Sequence, residues 1–400
     1  MKAHNFGFLP PDSKSRSWLF SLFAVASLIF GVYFISSALA GRKYNEKLST
    51  WQITESLHGA KSSRCKNICR PSGSEALPKG IVTETSDYKM RPLWGSAIDI
   101  AKENKLKPSI NLLALAVGIG QKETVDRIVR KFQSSNFVVM LFHYDGAVDS
   151  WREFSWSDQA IHVSAVNQTK WWFAKRFLHP SIVAEYNYIF LWDEDIGVEN
   201  FNPSRYLTIV EREGLEISQP ALDPVKSVVH HPITSRVPNA ILHRRMYKFK
   251  GSGRCYYNST SPPCVGWVEM MAPVFSRAAW QCTWYMIQND LVHAWGMDKE
   301  LGYCAQGDRT KNVGVVDSEY IVHLGLPTLG VFNHSKVSDT DKENAESPGA
   351  SSQLGVDARP QVRQQSSDEM RVFQKRWETA ERNDKCWVDP FRLLENQTPH

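Results

Sequence analysis

Apolar residues in this chain come in short unbroken runs, separated by stretches with helical spacing. Residues 112–117 (Leu-Leu-Ala-Leu-Ala-Val) and 137–142 (Phe-Val-Val-Met-Leu-Phe) are apolar at every position. That is the pattern of strands buried on both faces, not of strands with one wet side. Between them Val125, Ile128, Val129 and Phe132 fall three and four residues apart, which predicts a helix over 122–132. A third strand is expected over 160–166, then a helix from Lys170 towards Tyr186 that Pro180 interrupts. A fourth apolar run, 188–192, stops abruptly in Asp193-Glu194-Asp195. Strands alternating with helices predict an α/β domain whose sheet is parallel and covered on both faces.

The second half is less regular. Strands are expected over 216–220 and 268–275, a helix over 278–287, and short strands or loops at 313–317 and 320–323. Residues 243–263 read as a loop rich in aromatic and basic side chains. From 336 to 369 the chain is Ser, Asp, Gln, Gly and Pro with few large apolar residues, a composition that predicts disorder. A short helix over 370–382 follows, with Cys386-Trp387-Val388 anchoring the tail back.

The N-terminus carries a different signal. No charged residue occurs from 17 to 41, and the segment is long enough to span a bilayer at about 1.5 Å per residue. Ala38-Leu39-Ala40 imitates a signal-peptidase site, so a cleaved signal is the alternative to an uncleaved anchor. Flanking charge leaves orientation undecided, with Lys2, Lys14 and Arg16 on one side and Arg42, Lys43 and Lys47 on the other. All seven cysteines lie after the span, as do four glycosylation sequons at Asn167, Asn258, Asn333 and Asn396. Both favour a lumenal main domain. The expected organisation is a cytosolic tail (1–16), a transmembrane signal anchor (17–41), a stem (42–89), a lumenal domain (90–335), a disordered linker (336–369) and a C-terminal tail with a short helix (370–400). This is a single-pass type II protein of the Golgi or another secretory-pathway membrane.

Composition narrows the classes. With 42% apolar residues in 400, the chain can bury a substantial core. The net charge of +5 is small and dispersed, so nothing points to nucleic acid. No Cys-x-x-Cys pair appears with partners at zinc spacing. Disulfides are expected instead, for instance Cys65 with Cys69, or Cys255 with Cys264 across Pro262-Pro263, and the odd count leaves one thiol over.

The chemistry centres on Asp193 and Asp195. They stand at the carboxyl end of a predicted strand, where open α/β sheets place ligands. Paired hard oxygens suit Mg²⁺ or Mn²⁺. The same spacing at Asp339-Thr340-Asp341 has no strand before it. A calcium loop is excluded because 197 and 198 are Gly and Val. A dinucleotide fingerprint fails because Glu123 stands where Gly118-Ile119-Gly120 would need its third glycine. Gly118 marks a tight turn after the first strand and is a candidate donor contact. Asp145, ending the second strand, is either a ribose ligand or a turn residue before Gly146. Asp298, in the Gly-bounded 294–302 segment, is either a general base or a helix cap. His323 ends an apolar run and is either a third metal ligand or a core histidine. Trp151, Trp156, Trp171 and Trp172 are either sugar-stacking platforms or core.

Residues 188–203, the Trp295-Gly296-Met297-Asp298 segment and residues 313–325 resemble a plant type II membrane family of unknown function. Its members are often labelled "lysine ketoglutarate reductase trans-splicing related", and the resemblance covers roughly 93–329. That family is similar to glycosyltransferases of the GT-A fold, a mixed α/β sheet sandwiched by helices that binds a nucleotide sugar through Asp-x-Asp. The resemblance implies that Asp193 and Asp195 hold Mn²⁺ or Mg²⁺ on the donor diphosphate, with His323 as a further ligand and Asp298 as base. It implies a nucleotide-sugar donor and a glycan or other hydroxyl acceptor. The alternatives are a non-catalytic glycosyltransferase-like scaffold that binds a sugar or a partner, and an oxidoreductase, against which the missing glycine counts.

Overall fold

The computed structural model describes residues 70–85, 110–133, 135–326 and 359–391. The expected cytosolic tail, membrane anchor and most of the stem lie outside them, as do Cys65, Cys69, Asn333, Asn396 and the Asp339–Asp341 pair. Among the described residues no helix is long and apolar enough to cross a membrane.

The first half alternates as its pattern predicts: β1 (Ile110–Val117), α1 (Lys122–Gln133), β2 (Phe137–His143), β3 (Ile161–Ser164), α2 (Lys170–Phe177) and β4 (Tyr186–Trp192). These strands are parallel in the order β3-β2-β1-β4. Leu113 lies beside Phe190 and Leu115 beside Trp192. Alternate residues serve opposite faces: Leu112, Ala114, Ile189 and Leu191 join one core, Leu113, Leu115, Phe190 and Trp192 the other. Helix α1 covers the second core with Val125, Ile128, Val129 and Phe132, all buried. Two covered faces explain why the runs are continuous, since each buried Leu or Phe contributes about 1.5–3 kcal/mol on either side.

The chain continues through β5 (Ile196–Gly197), α3 (Pro203–Glu213), β6 (Ile217–Leu222), β7 (Leu242–His243), β8 (Val274–Ser276), α4 (Arg277–Met286), α5 (Arg309–Asn312), β9 (Val313–His323) and α6 (Arg359–Asn383). Helix α3 starts where the Asn202 side chain accepts the Arg205 N–H at 3.0 Å, and it ends at the left-handed Gly214. The nine strands form one sheet, β3-β2-β1-β4-β8-β6-β9-β5, with β7 also on β9. Strand β8 runs antiparallel to both neighbours, so the sheet is mixed and not wholly parallel. A three-residue run buried on both faces carries no directional signal, which is why periodicity missed it. The two short elements expected at 313–323 are one strand of 11 residues.

Both expected ends of the domain move outward. Residues 70–85, expected in the stem, bury Leu77 and Ile81 completely, and Gly80 packs on Ala380 of α6. Helix α6 begins at Arg359, so 359–369 is helical where disorder was expected. Its Phe373, Trp377 and Ala380 are buried at helical spacing. Its first turns are polar because they bond rather than pack: Glu369 accepts the His293 N–H at 2.7 Å. Trp377 meets Tyr303 at 5.1 Å and Trp387 at 6.4 Å between ring centres. The described residues accordingly belong to one unit that starts at Arg70.

Cys255–Cys264 forms a disulfide, one of the pairings the sequence suggested, and Cys282–Cys304 ties α4 to the following turn. Cys386 is disulfide-bonded as well. On β7, His243 Nδ1 meets Asp317 Oδ2 at 2.8 Å while Nε2 meets the Ile233 carbonyl at 2.6 Å. Burial works against the imidazolium, but Asp317 and that carbonyl outweigh it and raise the His243 pKa.

Two predictions follow from this packing. Trp377→Ala should cost about 3–5 kcal/mol in urea unfolding, against under about 0.5 kcal/mol for Val372→Ala on the exposed face of the same helix. Equal effects would remove α6 from the core. Because the folded His243 pKa is raised, its contribution is complete below about pH 6.5, the unfolded value, and is lost as pH rises through the higher folded value. Urea midpoints should fall over that interval in the wild type, and His243→Gln should lack that part of the slope. Superimposable pH profiles would contradict the assignment.

Candidate functional site

At the end of β4 the Asp193 N–H donates to the Met271 carbonyl at 3.0 Å. Its carboxylate meets Lys170 Nζ at 2.7 Å. The same ammonium donates to the carbonyls of Met270 at 2.6 Å and Met271 at 3.1 Å. Three acceptors use all three N–H bonds of a lysine. Lys170, the first residue of α2, is thus a built-in cation joining the end of β4 to the loop before β8. Although 37% of the Asp193 side chain reaches solvent, the walls around it still desolvate it and raise its pKa, with Lys170 opposing.

Asp195 is buried. Beyond it β5 pairs with the end of β9, Ile196 opposite His323, and the Leu324 N–H donates to the Asp195 carbonyl at 3.0 Å. That ladder sets His323 Nε2 3.3 Å from Asp195 Oδ2. His323 Nδ1 lies 2.9 Å from the Val228 carbonyl, to which it can only donate. The nitrogen that faces the carboxylate is therefore Nε2, the arrangement that orients imidazoles towards metals. Burial opposes the charged ring, but Asp195, the Val228 carbonyl and Glu269 raise the His323 pKa to about 9. Among the described residues no group of three or more His, Cys, Asp or Glu side chains is placed to hold a metal ion. The donor set suits instead an ion that takes one or two carboxylates and fills its remaining positions with water and substrate phosphates. Such an ion would have to take its protein ligands from the Asp195–His323 pair, beside an Asp193 already held by Lys170.

The opposite wall carries two further carboxylates. Glu269 Oε2 is buried without a hydrogen-bond partner. Burial pushes Glu269 up to about 7; His323 and Lys170 pull it down, while Asp193 and Asp298 push it up. Glu269 is therefore the carboxylate electrostatically linked to both the Asp193 side and Asp298. Asp298 Oδ2 accepts the Trp267 indole N–H at 3.2 Å, and the Trp267 ring meets His231 edge-on at 4.5 Å. Burial raises the Asp298 pKa, with Lys299 opposing. Gly296, just before it, packs against Met370 of α6. A second imidazole, His230, sits 5.7 Å from the His323 ring.

Gly118 and Asp145 lie at the same sheet edge but act as a brace. Buried Glu194 accepts the Gly118 N–H at 2.7 Å and the Tyr144 hydroxyl. A Cβ at Gly118 would overlap that hydroxyl, so the position needs glycine for close approach. Asp145 spends both oxygens on backbone, accepting from Ile119 at 2.7 Å and Ala147 at 2.9 Å. Burial pushes Glu194 up to about 8 against its two donors. Trp151, Trp156 and Trp171 are buried in the core, which removes them as sugar platforms; Trp172 is half-buried. Asn167 and Asn258 are both exposed.

Sequence reasoning brought Asp193, Asp195, His323 and Asp298 to one region and missed Lys170, Glu194, Trp267 and Glu269. Glu269 had a signal, a lone carboxylate inside the apolar 268–275 run. Lys170 had none, since a lysine opening a helix reads as surface.

The chain shares distant likeness with solved structures. Against S. aureus TarS 1–349 it is 8% identical over 53% of this chain and 59% of that one, with a TM-score of 0.32. Against the glycosyltransferase GlyE of Streptococcus pneumoniae TIGR4 it is 9% identical over 68% and 64%, with a TM-score of 0.31. The chain thus spans about 59% of the length of that TarS fragment, and likenesses this weak carry no argument about activity. No curated protein matches it. Over residues 68–383, however, the match is to a defined family, and the chain belongs to the one described as "Protein of unknown function (DUF707)".

Proposed function

We propose that this protein is a metal-dependent glycosyltransferase. The observation that carries the reading is the β5–β9 ladder, which sets His323 against Asp195 at the carboxyl end of β4. Asp193 stands two residues away, and Glu269 and Asp298 stand in the facing loops. On this reading a nucleotide-sugar diphosphate binds at that edge, where Asp195, His323 and Asp193 would hold Mn²⁺ or Mg²⁺. When bound, the ion neutralises charge developing on the departing diphosphate. The chain's own residues do the rest. Asp298, oriented by the Trp267 indole, takes the proton from the acceptor hydroxyl as its oxygen bonds to the sugar and the sugar–diphosphate bond breaks. A raised carboxylate pKa suits that proton transfer. Lys170 fixes the direction of Asp193 and the position of the loop that carries Glu269.

The two disulfides among the described residues support an oxidising compartment. With the uncharged 17–41 segment they support anchorage in a Golgi or other secretory membrane, main domain lumenal, and Asn167 and Asn258 accessible to glycosylation.

The Lys170–Asp193 ion pair favours one second reading. A site whose Asp193 is already paired with an ammonium can bind a sugar or partner without catalysis. An oxidoreductase gains no such support, because the Gly118 amide is committed to Glu194.

The two surviving readings separate in one experiment. The full-length chain is titrated with nucleoside diphosphates in the presence and absence of Mn²⁺, then assayed for nucleotide release from a panel of nucleotide sugars. Metal-dependent binding is expected, weakened about 100-fold or more by Asp195→Ala. Asp298→Asn should lower turnover about 10²–10⁴-fold while nucleotide still binds. Nucleotide binding indifferent to Mn²⁺ and to Asp195→Ala, with no release from any donor, leaves the scaffold.

A further inference from the structure

Between Asp223 and Glu269 the sequence holds no Asp or Glu, where the chain's average composition would place about five. Lys226, Arg236, Arg244, Arg245, Lys248, Lys250 and Arg254 all fall in that interval. Its centre is a hairpin-like loop. Arg245 is bridged to Val265 and Lys248 to Cys255, the latter pair exchanging N–H···O bonds of 3.0 and 2.8 Å. Gly251-Ser252-Gly253 forms the tip, and the Cys255–Cys264 disulfide closes the base.

Four large aromatic side chains stand exposed on this loop: Tyr247, Phe249, Tyr256 and Tyr257. Tyr247 and Phe249 are 6.2 Å apart and 19° from parallel, and Phe249 lies 6.1 Å from Tyr256. Single exposed rings need no explanation, but a cluster of rings on one stapled loop marks a contact surface. The interleaved cations divide in two. Arg244 is committed to Glu213 and Arg245 to the Tyr257 carbonyl. Lys248, Lys250 and Arg254 are exposed and make no ion pair among the described residues.

The loop is also continuous with the site. Its returning limb passes through Val265 and Gly266 into Trp267, whose indole holds Asp298, and then into Glu269. A surface reached by two residues from the candidate base is where an acceptor chain would extend. We propose that the 244–264 loop is an acceptor-binding arm for a polyanionic glycan, one whose sugars carry carboxylates. The proposal rests on the glycosyl-transfer reading of the site. Aromatic faces stack on the apolar faces of sugar rings, and the three unpaired cations meet the carboxylates between them. A neutral glycan would leave those cations unmatched. The staple and the backbone ladder hold the arm in shape before binding, which lowers the ordering cost. An anionic lipid surface would match the charge but gives no reason for the arm to lead into Asp298.

The test is direct binding of a hexuronic acid oligomer to the purified full-length chain by calorimetry, with neither donor nor metal present. A neutral hexose oligomer of equal length, phosphatidylserine vesicles and a single-stranded oligonucleotide serve as comparisons. The uronate oligomer is expected to bind and the neutral oligomer to bind at least about tenfold more weakly. Added salt should weaken uronate binding. The triple variant Lys248→Glu, Lys250→Glu, Arg254→Glu should lose at least about tenfold in affinity. So should Tyr247→Ala with Phe249→Ala, which keeps every charge. Circular dichroism confirms that each variant is folded. The proposal is overturned if the uronate oligomer does not bind, if the ring variant binds it as tightly as the wild type, or if vesicles or the oligonucleotide bind in preference. Failure of the donor reading would show separately, as nucleotide binding that ignores Mn²⁺.

Discussion

A buried ammonium sets the terms for this site. Lys170 is nearly out of water, and a charge there persists only when every N–H finds an acceptor. It finds the Asp193 carboxylate and two consecutive carbonyls, of Met270 and Met271. One side chain at the head of α2 thereby fastens the end of β4 to the loop that enters β8. Glu269 rides on that loop, and the chain beyond Asp193 is released in the direction that delivers Asp195 to β5. Without the ammonium, the Asp193 carboxylate and the Met270 carbonyl would lose this donor together, and the Met271 carbonyl would keep only the Asp193 N–H. The constraint therefore belongs to the fold as much as to the chemistry.

Strand β9 completes the arrangement from the other half of the sheet. It is long enough to pair with β6 in the core and with β5 at its far end, so His323 is carried from the interior to the edge where Asp195 stands. The result is a region with more carboxylates than cations. Asp193, Asp195, Glu269 and Asp298 are opposed by Lys170, Lys299 and the His323 imidazole, and burial pushes carboxylates towards protonation. Burial is the main cause of Glu269 at about 7 and of the raised Asp193 and Asp298, and like charges add to it at Glu269 and Asp193. On the proposed function, the imbalance is what a divalent ion and a proton-accepting base relieve. Glu194, which Asp195 and Asp193 also push up, accepts the Gly118 N–H and the Tyr144 hydroxyl behind the site.

The first half of the fold was legible because β1, β2 and β4 are buried on both faces and α1 shows its periodicity. Val125, Ile128, Val129 and Phe132 predicted α1 and its buried side correctly. Direction was not legible: β8 is three residues with no polar face, and nothing in Val274-Phe275-Ser276 says it runs against its neighbours. Helix α6 was half hidden because Ser366 and Glu369 are buried through hydrogen bonds, which look in sequence like solvent-facing polarity. At the site, Asp193, Asp195, His323 and Asp298 could be named because their residue types and strand-end positions are suggestive in one dimension. Lys170 could not, because its meaning lies in the carboxylate and carbonyls that meet it, and Glu269 showed only as a lone carboxylate in an apolar run.

The central claim, a divalent ion on Asp195 and His323 completed by a diphosphate, is open to a spectroscopic measurement. Pulsed electron paramagnetic resonance on the full-length chain with Mn²⁺ and a nucleoside diphosphate reports the nuclei bound to the ion. The account predicts ¹⁴N coupling from one imidazole together with ³¹P coupling from the diphosphate, and loss of the nitrogen signal alone in His323→Gln. Mn²⁺ that shows phosphorus but no nitrogen coupling, or that shows the same spectrum in Asp195→Ala, would contradict it.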